Sequence, residues 1–343
     1  MLMRCCIHEI SEIADVGLMN NFQIFFHVIL RGSNTRFFNK KKCKFMEKYL
    51  DIIHQAYVGY FTYFVDAVLH PHWHNHFYWL LGASIVIYAA ELAFPWRKDQ
   101  PKIRQDFWID AFYLLWNYFL VSLIVYSALS SVFVQLFKDF LGIFGVTNVV
   151  AFHVEHLPTW LQLVILFVMR DFMQWNIHRL LHNVGWMWEF HKVHHSTEEM
   201  GFAALMRYHF VENIIYRTLE YIPLAMMGFG IYDFFIVHIF TLVTGQLGHA
   251  NLYLPMGQLK YILNGPQMHL WHHAKEFPAS HPKGYNFGIT LSVWDYLFKT
   301  NYFPRIDKDL PVGLSASDAD FPRDFMGQLT VPFKNALKTR HKF

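Results

Sequence analysis

The stretch HRLLHNVGWMWEFHKVHH, residues 178–195, decides the fold that we predict for this chain. It contains an H-x-x-x-H pair and then an H-x-x-H-H triplet, formed by His178, His182, His191, His194 and His195. Residues three and four positions apart lie on the same face of an α-helix. The spacing therefore predicts two helical segments, each presenting its imidazoles on one side.

A second H-x-x-H-H triplet lies far downstream, at His269, His272 and His273. Eight imidazoles in three helical sets are more than one ion binds, because a metal ion takes roughly four to six ligands. A single helical histidine is usually an ordinary core or surface residue, but two triplets and a pair are hard to explain in this way. We therefore predict a site for more than one metal ion. His249 is added as a ninth ligand, because it ends an apolar run, where polar groups usually serve a site.

The overall composition excludes several classes of protein. Of the 343 residues, 54% are hydrophobic and 16% are charged, so the chain can bury a core and is not disordered. A net charge of +3 provides no basic surface for nucleic acid. The three cysteines, Cys5, Cys6 and Cys43, all lie near the N-terminus and support neither a disulfide framework nor a cysteine zinc site.

Long apolar runs surround the histidine motifs. Residues 111–137 carry no formal charge over 27 positions, and a helix needs about 20 apolar residues to cross a bilayer. Residues 77–94 hold one charge, residues 157–169 form a short run, and residues 221–248 form a longer run with several polar breaks. These runs predict an all-α integral membrane helical bundle.

The basic residues predict the orientation of this bundle. The loop at residues 95–106 carries four lysines and arginines, whereas residues 138–159 carry only one lysine. By the positive-inside rule the first loop is cytoplasmic, and alternation puts residues 178–217 on the same side. Residues 221–248 must then form a helical hairpin if the downstream histidines are to join the site. We expect a histidine-rich di-metal site at the cytoplasmic face.

The same patterns suggest an organisation into four parts. Residues 1–45 are poorly patterned and are interpreted as a peripheral segment, with the native start expected nearer Met46. Residues 46–156 are expected to form N-terminal membrane helices and residues 157–300 the catalytic domain. Residues 301–343 are interpreted as a C-terminal tail.

The ligand chemistry narrows the function. The chain has no H-E-x-x-H, G-x-G-x-x-G or P-loop motif, and imidazole favours iron, copper, nickel or zinc over magnesium or calcium. Oxidising an unactivated C–H bond of a lipid requires a metal that activates dioxygen. Two alternatives stay open at this point: a non-enzymatic metal-binding membrane protein or metal transporter, and a haem protein with two histidines per haem.

The order of the three histidine motifs resembles the fatty acid hydroxylase and sterol desaturase superfamily of membrane oxygenases. The central motif at residues 188–196, the G-H-x-N segment at 248–251 and the closing segments at 286–288 and 294–300 are also similar. Phe210, Phe287 and Lys299 stand where the family usually has Pro, Tyr and Gly. The resemblance covers residues 157–300.

The resemblance implies an O2-dependent oxidoreductase with two non-haem iron ions. Its substrate would be a sterol, a fatty acyl chain or an ether lipid, which is hydroxylated or desaturated. A separate electron-transfer protein would supply the electrons, because no fused haem motif is present. The implied ligands are His178, His182, His191, His194, His195, His249, His269, His272 and His273.

Five further residues are candidates for positioning the ligands without binding the metal themselves: Asp171, His209, Glu212, Asn251 and Asp295. Asp171 lies two helical turns before His178, so it could accept an imidazole N–H, although a pair with Arg170 would suit it equally well. The resemblance suggests that Asn251 acts through a water molecule. Ser196 and Glu199 form a capping-box pattern, which predicts a helix directly after the first triplet.

Overall fold

Helices form nearly all the regular structure of the described chain. The computed structural model describes residues 40–71, 76–117, 127–146, 150, 154–227, 229 and 231–340. The helices are α1 (Lys40–Leu69), α2 (His76–Ala93), α3 (Phe107–Leu114), α4 (Ser127–Ile143), α5 (Thr159–Asn183), α6 (Gly185–His195), α7 (Phe210–Met226), α8 (Ile231–His249), α9 (Pro266–His272), α10 (Val293–Leu297) and α11 (Phe325–Arg340). Strand pairing within these residues is limited to isolated bridges. The all-α prediction is confirmed.

The chain divides into two units, residues 1–52 and residues 53–343. Of the first unit, the structure describes residues 40–52, which belong to α1. The second unit contains all the histidine motifs and all the contacts discussed below. The proposed boundary after residue 45 falls inside α1 and stays a prediction.

The turn between α5 and α6 brings the first histidine motifs face to face. Val184 is extended, with φ −99° and ψ 111°, so α5 ends at Asn183 and α6 begins at Gly185. Val and Gly at this point have low helix propensity, which favours the break. The ring centroids of His182 and His191 consequently lie 4.8 Å apart. Both helices carry their histidines as the spacing predicts.

Residues 221–226 end α7 and residues 231–248 lie in α8, as the hairpin prediction requires. Leu224 of α7 and Val237 of α8 share one buried apolar cluster with Leu166 of α5. Closer to the start of α7, Arg217 Nη2 lies 3.0 Å from His238 Nε2. The chain therefore returns along α8, and this return places His249 beside the other histidine motifs.

The C-terminal helix α11 is part of the scaffold of the site. The Phe333 ring lies 5.2 Å from the Phe190 ring of α6, between centroids. The Tyr113 hydroxyl donates to Gln328 Oε1 at 3.1 Å, and His209 Nε2 donates to the Leu329 carbonyl at 3.0 Å. The segment interpreted as a tail thus supports the helix that carries the first triplet.

A buried charged network joins α3 to the segment that follows α6. Asp110 accepts a hydrogen bond from Arg104 Nη2 at 2.8 Å and another from Arg207 Nε at 2.6 Å. Asp106 pairs with Arg207 at 3.1 Å. Arg104, Asp110 and Arg207 are all buried. The carboxylate of Asp110 is thus shared by two guanidinium groups that are largely removed from water.

The capping-box prediction at Ser196 and Glu199 is wrong. Ser196 follows the last residue of α6, and its hydroxyl donates back to the Val193 carbonyl at 2.7 Å. Glu199 instead accepts a hydrogen bond from the Gln105 amide at 3.0 Å. The residues after Ser196 therefore form turns and not a helix.

The predicted membrane runs have mixed outcomes. The run at 77–94 coincides with α2, and the run at 157–169 forms the first part of α5. Residues 118–126, in the middle of the run at 111–137, lie outside the described residues. Among the described helices, none combines the length and the hydropathy needed to cross a membrane.

Candidate metal centre

All nine predicted histidines are buried and gather at one place in the fold. They come from α5, α6, the end of α8, and α9 with the residue that follows it. The structure groups them into two sets. Within each set, the nitrogen atoms that could bind a metal ion lie within 4.8 Å of one another. The five-histidine set is His178, His182, His191, His195 and His272, and the four-histidine set is His194, His249, His269 and His273.

Each triplet is divided between the two sets. His191 and His195 belong to the five-histidine set, whereas His194 points into the other set. The second triplet divides in the opposite way, since His269 and His273 share the four-histidine set and His272 does not. The i, i+4 members of each triplet stay together because they lie almost directly above one another on a helix. The two sets adjoin, with the His195 and His273 ring centroids 4.4 Å apart.

Backbone carbonyls fix the orientation of four of these rings. His178 Nδ1 donates to the Phe287 carbonyl at 2.8 Å, and His272 Nδ1 donates to the Tyr285 carbonyl at 2.7 Å. In the same way, His194 Nδ1 donates to the Arg207 carbonyl at 3.0 Å. His249 Nδ1 donates to the carbonyl one turn earlier in α8, at 2.8 Å. Each of these hydrogen bonds leaves Nε2 as the nitrogen with a free lone pair.

The facing nitrogens fit a cation. His178 Nε2 and His191 Nε2 are 3.1 Å apart, and His191 Nδ1 is already engaged as a donor to Glu212 at 3.0 Å. His194 Nε2 and His249 Nε2 face each other at 3.2 Å, and both rings also donate through Nδ1. Two neutral imidazoles in these tautomers present lone pairs to each other, which is unfavourable unless a positive charge lies next to both.

Ring nitrogens without a hydrogen-bond partner also indicate that a cation binds here. In the described part of the chain, buried nitrogens of His182, His195, His272 and His273 have no hydrogen-bond partner. A buried polar group without a partner costs about 1–3 kcal/mol, so several in one place require an explanation. Coordination of metal ions would satisfy one nitrogen of each of these four rings.

Burial keeps the imidazoles in the form that binds metal. Loss of hydration lowers the pKa of His178 and of His249 to about 4. The pKa values of the other seven lie well below the ordinary value for the same reason, and neighbouring imidazoles lower them further. Neutral imidazole is the metal-ligating species, so the site is prepared for metal at neutral pH.

Two of the five supporting residues act on the histidines. Glu212 Oε2 accepts the hydrogen bond from His191 Nδ1 directly. Asp295 acts one step away, because it accepts hydrogen bonds from the amides of Phe287 and Gly288 at 2.9 and 2.8 Å. Since the Phe287 carbonyl orients His178, Asp295 holds the segment that orients a candidate ligand.

The other three supporting residues serve the scaffold. Asp171 accepts from Trp294 Nε1 at 2.9 Å and from the Thr290 amide at 3.2 Å, and no described histidine of the two sets contacts it. Asn251 Oδ1 accepts from the Arg97 amide at 2.8 Å. His209 packs against Phe190 and donates to α11, as described above. The expected contact between Asp171 and an imidazole is therefore not present.

The segment at residues 284–288 was not singled out for ligand support by the sequence. Its carbonyls orient His178 and His272, a role that leaves no residue-type signature. Gly284 has φ +106°, and a Cβ atom there would lie 2.8 Å from His182 Nδ1. A glycine at this position therefore lets the backbone approach the ring closely. Phe287 contributes through its carbonyl, so the Phe at this position keeps the hydrogen bond to His178.

A Glu212→Gln substitution is expected to weaken metal binding by about 10–100-fold, the usual effect of losing the partner behind a metal-bound histidine. The amide is a poorer acceptor for His191 Nδ1–H than the carboxylate. The measurement is a metal titration of the purified variant against the unmodified chain. Glu276→Gln, at an exposed glutamate, is the matched control, and equal affinity in both variants would contradict the role of Glu212.

A cavity adjoins both histidine sets. It has about 940 Å³ of empty space, counting its open mouth, and it lies among α5, α7 and α8. Five of the nine histidines line it: His178, His191, His194, His249 and His269. Its walls include the apolar side chains of Leu205, Met206 and Leu242. A molecule in this cavity can thus reach both sets.

An all-α scaffold with two adjoining sets of buried histidines is typical of a protein that binds two metal ions. Residues 163–300 match the fatty acid hydroxylase family. The matched residues contain all nine histidines.

Three relatives are similar to part of this chain. Ornithine lipid hydroxylase OlsE of Rhizobium tropici is 30% identical over 176 residues, which cover 51% of each chain. Alkylglycerol monooxygenase of Caenorhabditis elegans is 28% identical over 163 residues, 46% of this chain and 30% of the relative. Very-long-chain aldehyde decarbonylase GL1-10 of Oryza sativa subsp. japonica is 27% identical over 150 residues, 43% of this chain and 48% of the relative. This chain therefore spans about half or less of their lengths, and no solved structure matches it.

Proposed function

We propose that the protein is a non-haem di-iron oxygenase that inserts oxygen into a C–H bond of a lipid. The observation that supports this proposal most is the pair of buried histidine sets beside a cavity open to both of them. The names of two relatives, a lipid hydroxylase and an alkylglycerol monooxygenase, favour hydroxylation over desaturation.

The proposed reaction needs an outside reductant. One oxygen atom of O2 enters the C–H bond and gives an alcohol, and the other leaves as water. The balance requires two electrons and two protons, which a separate electron-transfer protein would supply. Iron supplies the activation of dioxygen, which no amino-acid side chain can perform. All nine histidines are proposed as its ligands.

The chain's own residues prepare and restrict this chemistry. Carbonyls of Tyr285, Phe287 and Arg207 hold the imidazoles in one tautomer, so that binding needs little rearrangement. The apolar walls of the cavity favour an alkyl chain and reduce the access of water to the reacting carbon. The cavity would thereby place the substrate beside the histidines and limit the access of water to them.

We propose an integral membrane location with the site at the cytoplasmic face. Large apolar side chains on the outer surface support contact with lipid. Val86 and Phe94, in and just after α2, are 68% and 76% exposed, and Trp108 of α3 is 70% exposed. Such side chains are unfavourable in water when they cluster, and they are favourable against acyl chains or the membrane interface.

The test of this function is a comparison of lipids from cells with and without the gene, grown under ¹⁸O-labelled dioxygen. A gene-dependent lipid alcohol with one labelled oxygen atom is the expected product. A gene-dependent double bond without label would instead establish desaturation. The proposal of an oxygenase fails if purified, iron-loaded protein with an electron donor consumes no O2 with any lipid extract of its host.

A further inference from the structure

Asn286 lies between the two residues whose carbonyls orient rings of the five-histidine set. The Tyr285 carbonyl accepts from His272 Nδ1 at 2.7 Å, and the Phe287 carbonyl accepts from His178 Nδ1 at 2.8 Å. Asn286 itself makes no hydrogen bond to a histidine of either set among the described contacts. Any effect of Asn286 on the metal centre therefore passes through its two neighbours.

The Asn286 side chain is fully buried and uses both ends of its amide. Its Nδ2 group donates to the Tyr302 carbonyl at 2.7 Å and to the Met268 carbonyl at 3.2 Å. Its Oδ1 accepts from the Tyr302 amide at 2.8 Å. The reverse orientation would place Oδ1 against two oxygens, so these partners define which end of the amide is the nitrogen. The backbone at Asn286 has φ +53°, in the left-handed region, which Asn enters more readily than most residues.

The peptide groups on either side of Asn286 are held from both directions. The peptide group that joins Tyr285 to Asn286 donates its N–H to the Thr300 carbonyl at 2.9 Å. The peptide group that follows Phe287 donates its N–H to the Asp295 carboxylate at 2.8 Å. The N–H and C=O of a planar trans peptide point in opposite directions, so an acceptor for the N–H also fixes the direction of the C=O. A displacement of Asn286 would therefore turn the two orienting carbonyls away from their rings.

The four-histidine set depends on other segments. The carbonyls that orient His194 and His249 do not belong to residues near Asn286 in the chain. Helix α9 contacts Asn286 through one carbonyl among the described hydrogen bonds, and it has a separate anchor at its end. There the Gly313 amide donates to the His273 carbonyl at 3.1 Å. The contacts of Asn286 thus act on one set more directly than on the other.

We propose that Asn286 is a positioning residue of the five-histidine set. Its side chain fixes the turn at residue 286, and the neighbouring carbonyls then hold His178 and His272 with Nε2 free to bind metal. The affinity of this set for its ion depends on Asn286, whereas the affinity of the four-histidine set does not. This inference rests on the proposed function, because it takes both sets to bind iron.

An anaerobic titration of the purified full chain with iron(II) measures both affinities. Asn286→Asp keeps the size of the side chain but directs oxygen in place of N–H at two carbonyls, so one of the two ions should bind about 10–100-fold more weakly. Asn286→Gly keeps the left-handed backbone and removes the side-chain contacts, so it should weaken the same ion less. The glycine variant also provides the measurement if the aspartate variant does not fold.

Lys299→Gly is the matched control for Asn286→Gly. Lys299 also has a left-handed backbone, with φ +58°, but its side chain is exposed. Glycine adopts this conformation without strain. Both iron affinities should therefore be unchanged in Lys299→Gly.

A second background identifies which set is affected. His194 belongs to the four-histidine set, so the ion that His194→Ala retains is the one in the five-histidine set. Adding Asn286→Gly to His194→Ala should weaken this remaining ion by the same factor as in the otherwise unmodified chain. A remaining ion that binds as tightly as before would assign the effect of Asn286 to the wrong set and overturn the proposal.

Two further outcomes would overturn the positioning role of Asn286. One is unchanged affinity for both ions in both Asn286 variants. The other is an equal loss at both ions, which is the result of a general disturbance of the fold. Because the titration uses neither lipid nor dioxygen, a loss at one ion in a chain that never oxidises lipid would refute the oxygenase function and leave the positioning role intact.

Discussion

Replacing His194 or His272 by alanine is expected to abolish turnover in both variants but to remove metal unequally. His194 belongs to the four-histidine set, so its loss leaves three imidazoles for one ion. His272 belongs to the five-histidine set, and its loss leaves four. Four protein ligands complete an ordinary tetrahedral site, whereas three leave one position to water and are expected to hold the ion less tightly. We therefore expect about one ion per chain in His194→Ala and closer to two in His272→Ala.

Metal analysis of the purified variants, made together with an assay of labelled product, measures both effects. The loss of affinity at the damaged set should exceed the roughly 10–100-fold expected when only an outer partner of a ligand is removed. His70→Ala is the matched control, because His70 is exposed and pairs only with Asp66 among the described contacts. Retained turnover in His194→Ala or His272→Ala would refute the ligand assignment. Equal metal loss in both would refute the division into sets of four and five.

The histidine positions could be predicted because helical spacing is a local property. An i, i+4 relation places two rings on one face whatever the rest of the fold does, and both triplets obey it. His249 was harder to predict, because it does not belong to a histidine motif with helical spacing. The useful signal was its position at the end of an apolar run. The division of each triplet between two sets depends on how α6 and α9 are rotated toward each other, which local spacing does not determine.

The supporting contacts were predicted less well because they join residues distant in sequence. Asp171 shares a face of α5 with His178, but the indole of Trp294, 123 residues later, reaches its carboxylate instead. The carbonyls of residues 285 and 287 orient two rings, and any residue type supplies a carbonyl. Glu212 could be named as a candidate only because a carboxylate near a histidine motif is a common partner. The fold class followed from helical patterning, whereas these contacts required the tertiary structure.

Replacing Asp110 by asparagine is expected to destabilise the protein by about 3–5 kcal/mol, the usual cost of breaking a buried ion pair by removing one partner. The Asp110 carboxylate accepts hydrogen bonds from two guanidiniums, and an amide offers one oxygen in place of two. Its NH2 group would face the N–H groups of Arg104 or Arg207. Arg207 keeps its ion pair with Asp106, whereas Arg104 loses its ion pair with Asp110.

The effect of Asp110→Asn should extend to one histidine set and not to the other. Arg207 contributes its carbonyl to His194 Nδ1, and its side chain is held by Asp110, so a shift of residue 207 disturbs the four-histidine set. The five-histidine set has no hydrogen bond to residue 207 among the described contacts. Denaturant unfolding gives the stability change, and metal titration of the folded variant should show weakened binding of one ion only. Asp320→Asn, at an exposed aspartate, is the control. A stability loss below about 1 kcal/mol, the range of exposed pairs, would show that the Asp110 network is not the buried support that its geometry indicates.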